Sequence, residues 1–503
     1  MARCMTYFDN IILGLETALS LSNLWWCFVG VFLGTLLGVI PGIGVLAAIS
    51  MLFPLTFQLD ATAALIMLAG IWYGTTYGGS TAAILLNVPG APANAITALD
   101  GYPMSQQGRA GVALFMTTIA SFFGGSVGII LLMTFSGVIS SAALQFSSAE
   151  YFALMLLGLV AASNISNGSM LKGLIMVCLG VLFGIVGSDI YTGMRRFTFG
   201  VVELADGIAL IALAMGLFGV AEVIASVGKV DVAKLDPKSL SFAAMKPSRS
   251  EMRRSWLPMI RGSAVGSFFG TLPGTGPSIA AFMAYAVEKR SSKTPERFGK
   301  GAIEGIMAPE SANNAADQTS FIPTLALGIP GSATMALMLG ALMIHGIAPG
   351  PQLMTEQPSL FWGLVMSFWI GNILLLVLNI PLIGLWVRLL QVPYQWLFPA
   401  VLMFVCIGTY SVNNSWFDVV LVALFGGLGY TLRTLGFPAA PMLLGFVLGP
   451  MMEEHFRRAM LLGRGDPATF IERPISLVVL LVTLALLLWG VRPLFSRHKP
   501  ASR

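Results

Sequence analysis

One acidic residue lies among amide and hydroxyl residues inside an apolar segment, and this pattern favours a cation-binding site. Asp317 precedes the apolar stretch Phe321–Ile329, and no Lys or Arg lies between Lys300 and Arg388. A buried carboxylate without a basic partner must be protonated, pair with a remote basic residue or ligate a cation. We favour the cation, and Thr76 holds the matching place in an earlier segment, so the ion site would be asymmetric. The predicted coupling-ion residues are Thr75, Thr76, Asn313, Asn314, Asp317 and Thr319.

Proline and glycine interrupt four apolar segments, at Pro41, Pro89, Pro273 and Pro330. Proline lacks a backbone donor, and glycine adopts conformations that a helix interior forbids. In hydrocarbon such breaks persist only inside protein or beside water, and transporters place them where half-helix N-termini bind anions. We therefore predict a substrate site at these breaks. Its predicted residues are Pro41, Gly42, Gly44, Ser80, Asn87, Gly90, Pro273, Gly274, Thr275, Gly276, Ser278, Gly331 and Ser332.

Three other interpretations stay open for particular residues. Small residues also allow membrane helices to pack closely, which would explain an isolated Gly-x-x-x-Gly without any site. Glu310 is either a carboxylate at a loop edge or a member of the site. For His345 we favour a packing or interfacial role over a proton relay.

The breaks occur in two copies about half the chain apart. GTLLGVIPGIG at 34–44 matches GSFFGTLPGTG at 266–276, a shift of 232 residues. YGTTYGGSTAAILLNVPG at 73–90 matches NAADQTSFIPTLALGIPG at 314–331, a shift of 241 residues. We call residues 24–108 and 262–347 the first and second copies, and we infer a duplicated architecture.

The charges that flank the two copies differ in sign. No Lys or Arg lies between Arg3 and Arg109, whereas 229–261 and 289–300 are rich in both. By the positive-inside rule, the first hairpin enters from outside and the second from the cytoplasm. Five predicted crossings between them, an odd number, would invert the second copy.

Composition excludes a soluble protein. The chain has 503 residues, of which 56% are hydrophobic and 10% charged, against roughly 25% charged in soluble domains. The net charge of +5 reflects loops that set topology rather than nucleic-acid binding. The four cysteines have no CxxC spacing, so we expect no disulfide framework and no metal site beyond a possible Na+. We expect residues 7–23 to form an interfacial helix rather than a cleavable signal peptide.

The predicted fold class is therefore an all-α polytopic membrane protein with two inverted repeats, each holding a re-entrant hairpin and a broken helix. The predicted parts are a first repeat at 1–228 (hairpin 24–57, broken segment 60–108, spans to 224), a basic cytoplasmic connector at 229–261, a second repeat at 262–473 (hairpin 262–287, broken segment 301–347, spans to 452) and a C-terminal span and tail at 474–503.

The same motifs resemble a known family. GVIPGIG, GTLPGTG, YGGSTAAILLNVPG and above all APESANNAADQTSFIPTLALGIPG are similar to the large membrane subunit of tripartite tricarboxylate transporters. The resemblance covers nearly the whole chain. It implies a multi-pass permease of the bacterial inner membrane that takes up small carboxylates with an ion gradient. It also implies two partners, a small membrane subunit and a periplasmic solute-binding protein.

The residues themselves favour a secondary active transporter with Na+ or H+ as coupling ion and no other cofactor. A channel would need a continuous lined pore, and saturable, gradient-dependent flux would distinguish the two. An intramembrane enzyme is the third alternative, but no nucleophile with a base partner is evident. The carried acid and the coupling ion stay open.

Overall fold

We describe a computed structural model of the chain, which places residues 7–164, 169–189, 191–226, 244–272, 274–390 and 394–495. These residues form helices almost throughout, as predicted for an all-α protein. Four helices are long and apolar enough to cross a membrane by length and composition: Leu21–Val39, Pro92–Ala143, Pro358–Asn379 and Trp416–Thr434.

Ten helices lie among the described residues before 227. They are α1 (Tyr7–Ala18), α2 (Leu21–Val39), α3 (Val45–Leu52), α4 (Ala61–Leu86), α5 (Pro92–Met104), α6 (Ala110–Ala143), α7 (Ser148–Asn164), α8 (Met170–Gly184), α9 (Leu210–Ala214) and α10 (Ala221–Ser226). A small hairpin, β1 (Gly187–Ser188) and β2 (Arg195–Arg196), follows α8. Short 3-10 or π turns lie at Phe53–Gln58, Ser105–Arg109, Val202–Leu204 and Met215–Val220.

Thirteen described helices follow. They are α11 (Arg249–Thr271), α12 (Gly276–Ser291), α13 (Glu304–Thr319), α14 (Phe321–Leu327), α15 (Ala333–Ile344), α16 (Leu353–Glu356), α17 (Pro358–Asn379), α18 (Ile383–Leu389), α19 (Tyr394–Asn413), α20 (Trp416–Thr434), α21 (Ala439–Leu462), α22 (Thr469–Glu472) and α23 (Pro474–Phe495). A 3-10 turn at Pro295–Arg297 precedes α13.

The predicted interruptions of the two hairpins and the two broken segments are confirmed as helix breaks. α2 and α3 are separated at residues 40–44, and α4 and α5 at 87–91. In the second copy α11 and α12 are separated at 272–275, and α14 and α15 at 328–332.

Glycines bring the helices of each copy into backbone contact. A Cβ on Gly30, Gly34 or Gly38 of α2 would overlap a carbonyl oxygen of α4, so only glycine fits there. The equivalent positions on α11, Gly262 and Gly266 among them, face carbonyl oxygens of α13 in the same way. Close packing, the alternative explanation for small residues in membrane helices, is therefore correct for these glycines.

The two copies also pack across each other at the centre of the described residues, where α5 lies against α12 and α15 against α3. Two helices outside the copies join this contact, because α6 lies against α13 and α17 against α4. Rings of Trp72, Phe321 and Phe368 meet there, with Phe321 and Phe368 centroids 4.7 Å apart. The Tyr73 hydroxyl donates to Gln318 Oε1 at 2.6 Å across the same junction. The site described below therefore rests on helices from both copies.

Two predicted segments differ in detail from the helices of the structure. α11 begins at Arg249, inside the predicted connector 229–261, because Ser248 and Glu251 form a capping box and Arg261 pairs with Glu288 of α12. A charged stretch can thus be helical when acidic partners face it. Residues 229–243 of the connector lie outside the described residues. The last of the predicted spans that lead to 224 becomes helical only at Leu210, after the β-hairpin and a short turn.

Candidate substrate and ion site

A cavity of about 510 Å³ lies where the helix breaks of the two copies meet. The first residues of α3, α5, α12 and α15 form much of its wall, and the start of α21 completes it. These wall segments are 44–47, 90–94, 275–278, 331–334 and 436–438. Five helix N-termini therefore surround one space large enough for a small organic acid.

The turns that aim these helices at the cavity occur at equivalent positions in the two copies. Gly42 and Gly274, 232 residues apart, both have positive φ, at 85° and 81°. Asn87 and Gly328, 241 residues apart, end α4 and α14 in the left-handed conformation. Such backbone favours glycine and tolerates asparagine, so the local sequence dictates these turns.

The helix N-termini make the cavity attractive to anions. The starts of α3, α5, α12 and α21 have no side-chain cap; Ser332 alone caps its helix, by accepting from the Met335 amide. Uncapped backbone N–H groups and the helix dipole together form a ready anion-binding arrangement. No Lys or Arg is among the wall residues that the structure describes. A bound carboxylate would therefore be held by backbone donors rather than by a basic side chain.

Asp317 lies in the cavity wall with an unsatisfied oxygen. Its side chain is buried, and the Thr76 hydroxyl lies 3.5 Å from Oδ2, whereas Oδ1 has no hydrogen-bond partner among the described residues. Asn313 also lines the wall; its Oδ1 accepts from Asn314 Nδ2 at 2.7 Å, and its side chain also interacts with the Glu310 carboxyl group. Buried polar atoms are nearly always paired with protein or water, so a free carboxylate oxygen in a cavity wall can bind a ligand or water. Asp317 Oδ1 suits a cation.

About half of the predicted site residues reach the cavity. From the predicted substrate residues these are Gly44, Gly90, Thr275, Gly276, Ser278, Gly331 and Ser332, and from the predicted ion residues Thr76, Asn313 and Asp317.

The other predicted residues lie elsewhere. The Thr75 hydroxyl donates to Ile71 O at 2.7 Å, facing α2, and the Thr319 hydroxyl donates to Ala315 O at 3.0 Å, beside Gly270 of α11. Both threonines therefore pack between helices. The structure also does not bring Pro41, Gly42, Ser80, Asn87, Gly274 or Asn314 to the cavity wall. Pro273 lies outside the described residues.

Gly274 and Asn87 have structural explanations instead. A Cβ on Gly274 would stand 2.6 Å from Ala161 Cβ of α7, and its φ is positive, so glycine is required for packing. Asn87 is exposed and ends α4 as a left-handed cap. The substrate role of Gly274 stays a prediction; its amide donates to the carbonyl oxygen of Gly331, which lines the cavity, at 2.9 Å.

Of the two interpretations of Glu310, the loop edge is wrong, because Glu310 is fully buried on α13, although it does not line the cavity. Sequence reasoning missed one part of the cavity wall, the 436–438 segment, which lies within the predicted spans to 452. Its distance from the two copies in sequence hid its place in the wall.

The fold and the cavity define a class: a multi-pass helical membrane protein whose discontinuous helices enclose an anion-favouring site, as transporters do. A family model described as the tripartite tricarboxylate transporter TctA family matches residues 24–444, and the chain belongs to that family. The resemblance seen in the sequence is thereby confirmed, and the chain is of the transporter-subunit class.

Two relatives from Agrobacterium vitis are similar along much of their length. The uncharacterized 52.8 kDa protein in the TAR-I ttuC' 3'region is 50% identical over 489 residues, which cover 97% of each chain. The uncharacterized protein in the TAR-II ttuC' 3'region is 54% identical over 228 residues, 45% of this chain and 94% of that one. No solved structure matches the chain.

Proposed function

We propose that this chain is the substrate-translocating subunit of a secondary active transporter that imports small di- or tricarboxylates across the bacterial inner membrane. The observation that carries the proposal is the cavity, where uncapped helix N-termini and the unsatisfied Asp317 carboxylate face one space. Anion attraction and a cation acceptor in the same wall suit symport of an organic acid with a cation.

Charge balance explains why both features belong to one site. A di- or tricarboxylate brings negative charge into a wall that has no basic residue and already holds Asp317. The N-termini offset part of that charge, and a cation at Asp317 Oδ1 offsets more. Substrate and cation would therefore bind better together than separately, which is the thermodynamic basis of coupling. Both Na+ and H+ are compatible with this argument.

Inverted repeats with re-entrant hairpins belong to the same proposal. The matched turns and the matched glycine contacts of the two copies support a duplicated unit. Two ion pairs agree with the opposite orientation of the two copies. Arg109 pairs with Glu251 of the predicted cytoplasmic connector, and Glu150 pairs with Arg473, which the same topology places outside with it.

Two stretches that this topology places outside, one around Arg196 and one at the end of α21, also carry basic residues, against the positive-inside rule. Arg196 pairs there with Asp189 and with Glu453, and Arg457 pairs with both acids as well. Alternating access would then move one repeat against the other around the cavity.

The family supplies the partners of this proposal, a small membrane subunit and a periplasmic solute-binding protein. The solute-binding protein would deliver the carboxylate from outside. A gradient-independent anion channel is the competing function.

Uptake in proteoliposomes tests the proposal. The chain, the small membrane subunit and the binding protein would be reconstituted, and entry of radiolabelled citrate, succinate and related acids would be followed with and without Na+ and pH gradients. We expect saturable uptake of at least one acid against its own gradient, and only with a cation gradient. Flux that never exceeds equilibrium and ignores the cation would indicate a channel, and no flux of any organic acid would overturn the proposal.

A further inference from the structure

Glu310 is a buried carboxyl group that the cavity does not reach. Its Oε1 accepts from the Ser80 hydroxyl at 2.8 Å and from the Thr97 hydroxyl, and its Oε2 accepts from the Ser121 hydroxyl at 3.0 Å. Its side chain is fully buried, and none of its hydrogen bonds comes from a Lys, Arg or His among the described residues. Glu310 belongs to the second copy, on α13. All three hydroxyls belong to α4, α5 and α6 of the preceding half.

The chemistry of its partners suits a group that changes protonation. A serine or threonine hydroxyl is both donor and acceptor, and its hydrogen rotates freely. Three hydroxyls can donate to an ionised Glu310, and one of them can turn to accept from a protonated one, without any heavy atom moving. An arginine or lysine partner would instead hold the carboxylate permanently ionised. The cluster is therefore satisfied in both protonation states.

The different enclosure of Asp317 and Glu310 determines which cation each carboxyl group can bind. Asp317 has a free oxygen that faces the cavity, so a cation of any kind can reach it. The oxygens of Glu310 are occupied by hydroxyls and lie outside the cavity wall, so a metal ion would have to displace these partners. A proton needs no such space. Ser80 also accepts from Asn94 Nδ2 at 2.8 Å, and Asn94 lines the cavity, so the cluster lies one residue away from water in the cavity.

Other titratable groups on the helices around α13 have partners of their own. They are Tyr73 with Gln318, Tyr77 with Asn372, Tyr285 with Asp100, Arg261 with Glu288 and Arg254 with Glu304. Asp317, two turns further along α13, is the other buried acid near Glu310, and its charge would add to that of an ionised Glu310. The remaining charges of α11 and α12 lie in the outer turns of these helices.

We propose that Glu310 is a proton-binding site, separate from the cation site at Asp317, and that its protonation loosens the contact between the two halves. This inference rests on the proposed transport function. A proton from water would bind one carboxylate oxygen, and that oxygen would change from acceptor to donor. The ionised form accepts charge-assisted hydrogen bonds from three hydroxyls of the first half, whereas the protonated form keeps only neutral hydrogen bonds, which are about half as strong. Proton binding would therefore favour relative movement of the halves.

Infrared difference spectroscopy of the reconstituted chain tests proton binding without any substrate. We expect a protonated-carboxyl band that disappears as the pH rises, persists in Asp317→Asn and is absent from Glu310→Gln. Ser121→Ala removes one donor to the ionised form, so proton affinity should rise about tenfold and the band should vanish at correspondingly higher pH. Ser126→Ala on the same helix, whose hydroxyl does not contact Glu310, is the matched control.

If Glu310→Gln fails to fold, the pH dependence of the carboxyl band in Ser121→Ala, compared with that in Ser126→Ala, tests the proton site by itself. A band that stays unchanged in Ser121→Ala, or a Glu310 that keeps one protonation state wherever the protein is folded, would overturn the inference.

Transport separates this inference from the proposed function. In proteoliposomes, Glu310→Gln should retain exchange of citrate or succinate but lose accumulation driven by a pH gradient by about tenfold or more, since coupling between sites is typically about 5- to 150-fold. Wild-type accumulation driven by pH in this variant would refute the proton site and leave the proposed function standing. Loss of both exchange and accumulation in a folded Glu310→Gln protein would also refute it, because Glu310 would then be required for transport itself and not only for its response to pH.

Discussion

The two copies have equivalent turns but differ in the space at their helix breaks and in the side chains that they contribute to the cavity. In the first copy the breaks are in contact, because a Cβ on Gly44 would overlap the Gly90 carbonyl and a Cβ on Gly90 would stand 2.8 Å from the Ile43 carbonyl oxygen. In the second copy the breaks are joined by a hydrogen bond, which the Gly274 amide donates to the Gly331 carbonyl oxygen at 2.9 Å, but a Cβ on Gly331 would have no atom closer than 3.7 Å. Both pairs of breaks are therefore in contact, and the contact at Gly331, unlike that at Gly90, leaves room for a methyl group.

The polar side chains of the cavity wall are also distributed unevenly between the two copies. Asn313 and Asp317 of the second copy occupy the places that Trp72 and Thr76 hold in the first, and all four residues line the cavity. The first copy contributes a bulky ring and a hydroxyl, whereas the second contributes an amide and a carboxylate. A duplicated fold can thus keep its symmetry in the backbone while its chemistry becomes asymmetric.

The largest effect on uptake should come from Asp317, the acidic member of the equivalent pair Thr76 and Asp317. Asp317→Asn should lower cation-driven uptake about 100-fold, because the charge that binds the cation is lost. Thr76→Val, at the equivalent position, should cost only about fivefold, the worth of one neutral hydrogen bond. Initial rates against cation concentration would measure both, with Asp206→Asn in an exposed loop as control. Equal losses in the two variants would contradict the asymmetry.

Helix packing within the first copy should be the next most sensitive feature. Gly74 of α4 meets the backbone of α2, whereas its counterpart in the second copy is Ala315, which shows that α11 leaves space for a methyl group. Gly74→Ala should therefore destabilise the protein by about 1–3 kcal/mol through overpacking. Thermal unfolding in detergent is the measurement. Gly427→Ala, a helical glycine with open space beside it, should not lower stability; a Gly74→Ala variant as stable as this control would argue against the packing.

The contact between the breaks gives a smaller and more local effect. Gly90→Ala should displace the Ile43 carbonyl and the start of α5 by a few tenths of an ångström and lower uptake about tenfold, since small misplacements at a site are costly. Gly331→Ala, at the equivalent position, should retain most activity because its surroundings are open. Uptake would be compared at equal protein content. A Gly331→Ala loss as large as that of Gly90→Ala would mean that the second copy also closes tightly during transport.

The smallest effect should be at the capped helix. Ser332 caps α15, so Ser332→Ala should cost about 1 kcal/mol of stability, whereas Ala91→Ser could add a cap to α5. The added hydroxyl would also compete for amides that we assign to substrate, so Ala91→Ser should raise the apparent KM for citrate or succinate while stability stays equal or increases. An unchanged KM would argue against the α5 N-terminus as part of the substrate site.

Local chemistry allowed the class of the protein and the positions of the breaks to be read from the sequence. Apolar segments of membrane length, with proline and glycine at fixed places, determine broken helices whatever surrounds them, and the two shifts of 232 and 241 residues reveal the duplication. The starts of α5 and α15 and the left-handed caps at Asn87 and Gly328 follow from the same local rules. An acid in an apolar segment without a basic neighbour requires a ligand or a proton, so the sequence also predicts a role for Asp317, which lies in the cavity wall.

Tertiary structure decided which side chains meet. Thr75 and Thr76 are adjacent in sequence, but one turns toward α2 and the other toward the cavity, because consecutive helical residues point about 100° apart. Glu310 became a buried site only because Ser80, Thr97 and Ser121, distant in sequence, converge on it. The N-terminus of α21 joined the cavity wall through packing that no local motif encodes. Sequence patterns report on the backbone of one segment, whereas a site depends on the relative rotation and position of several helices, which long-range packing sets.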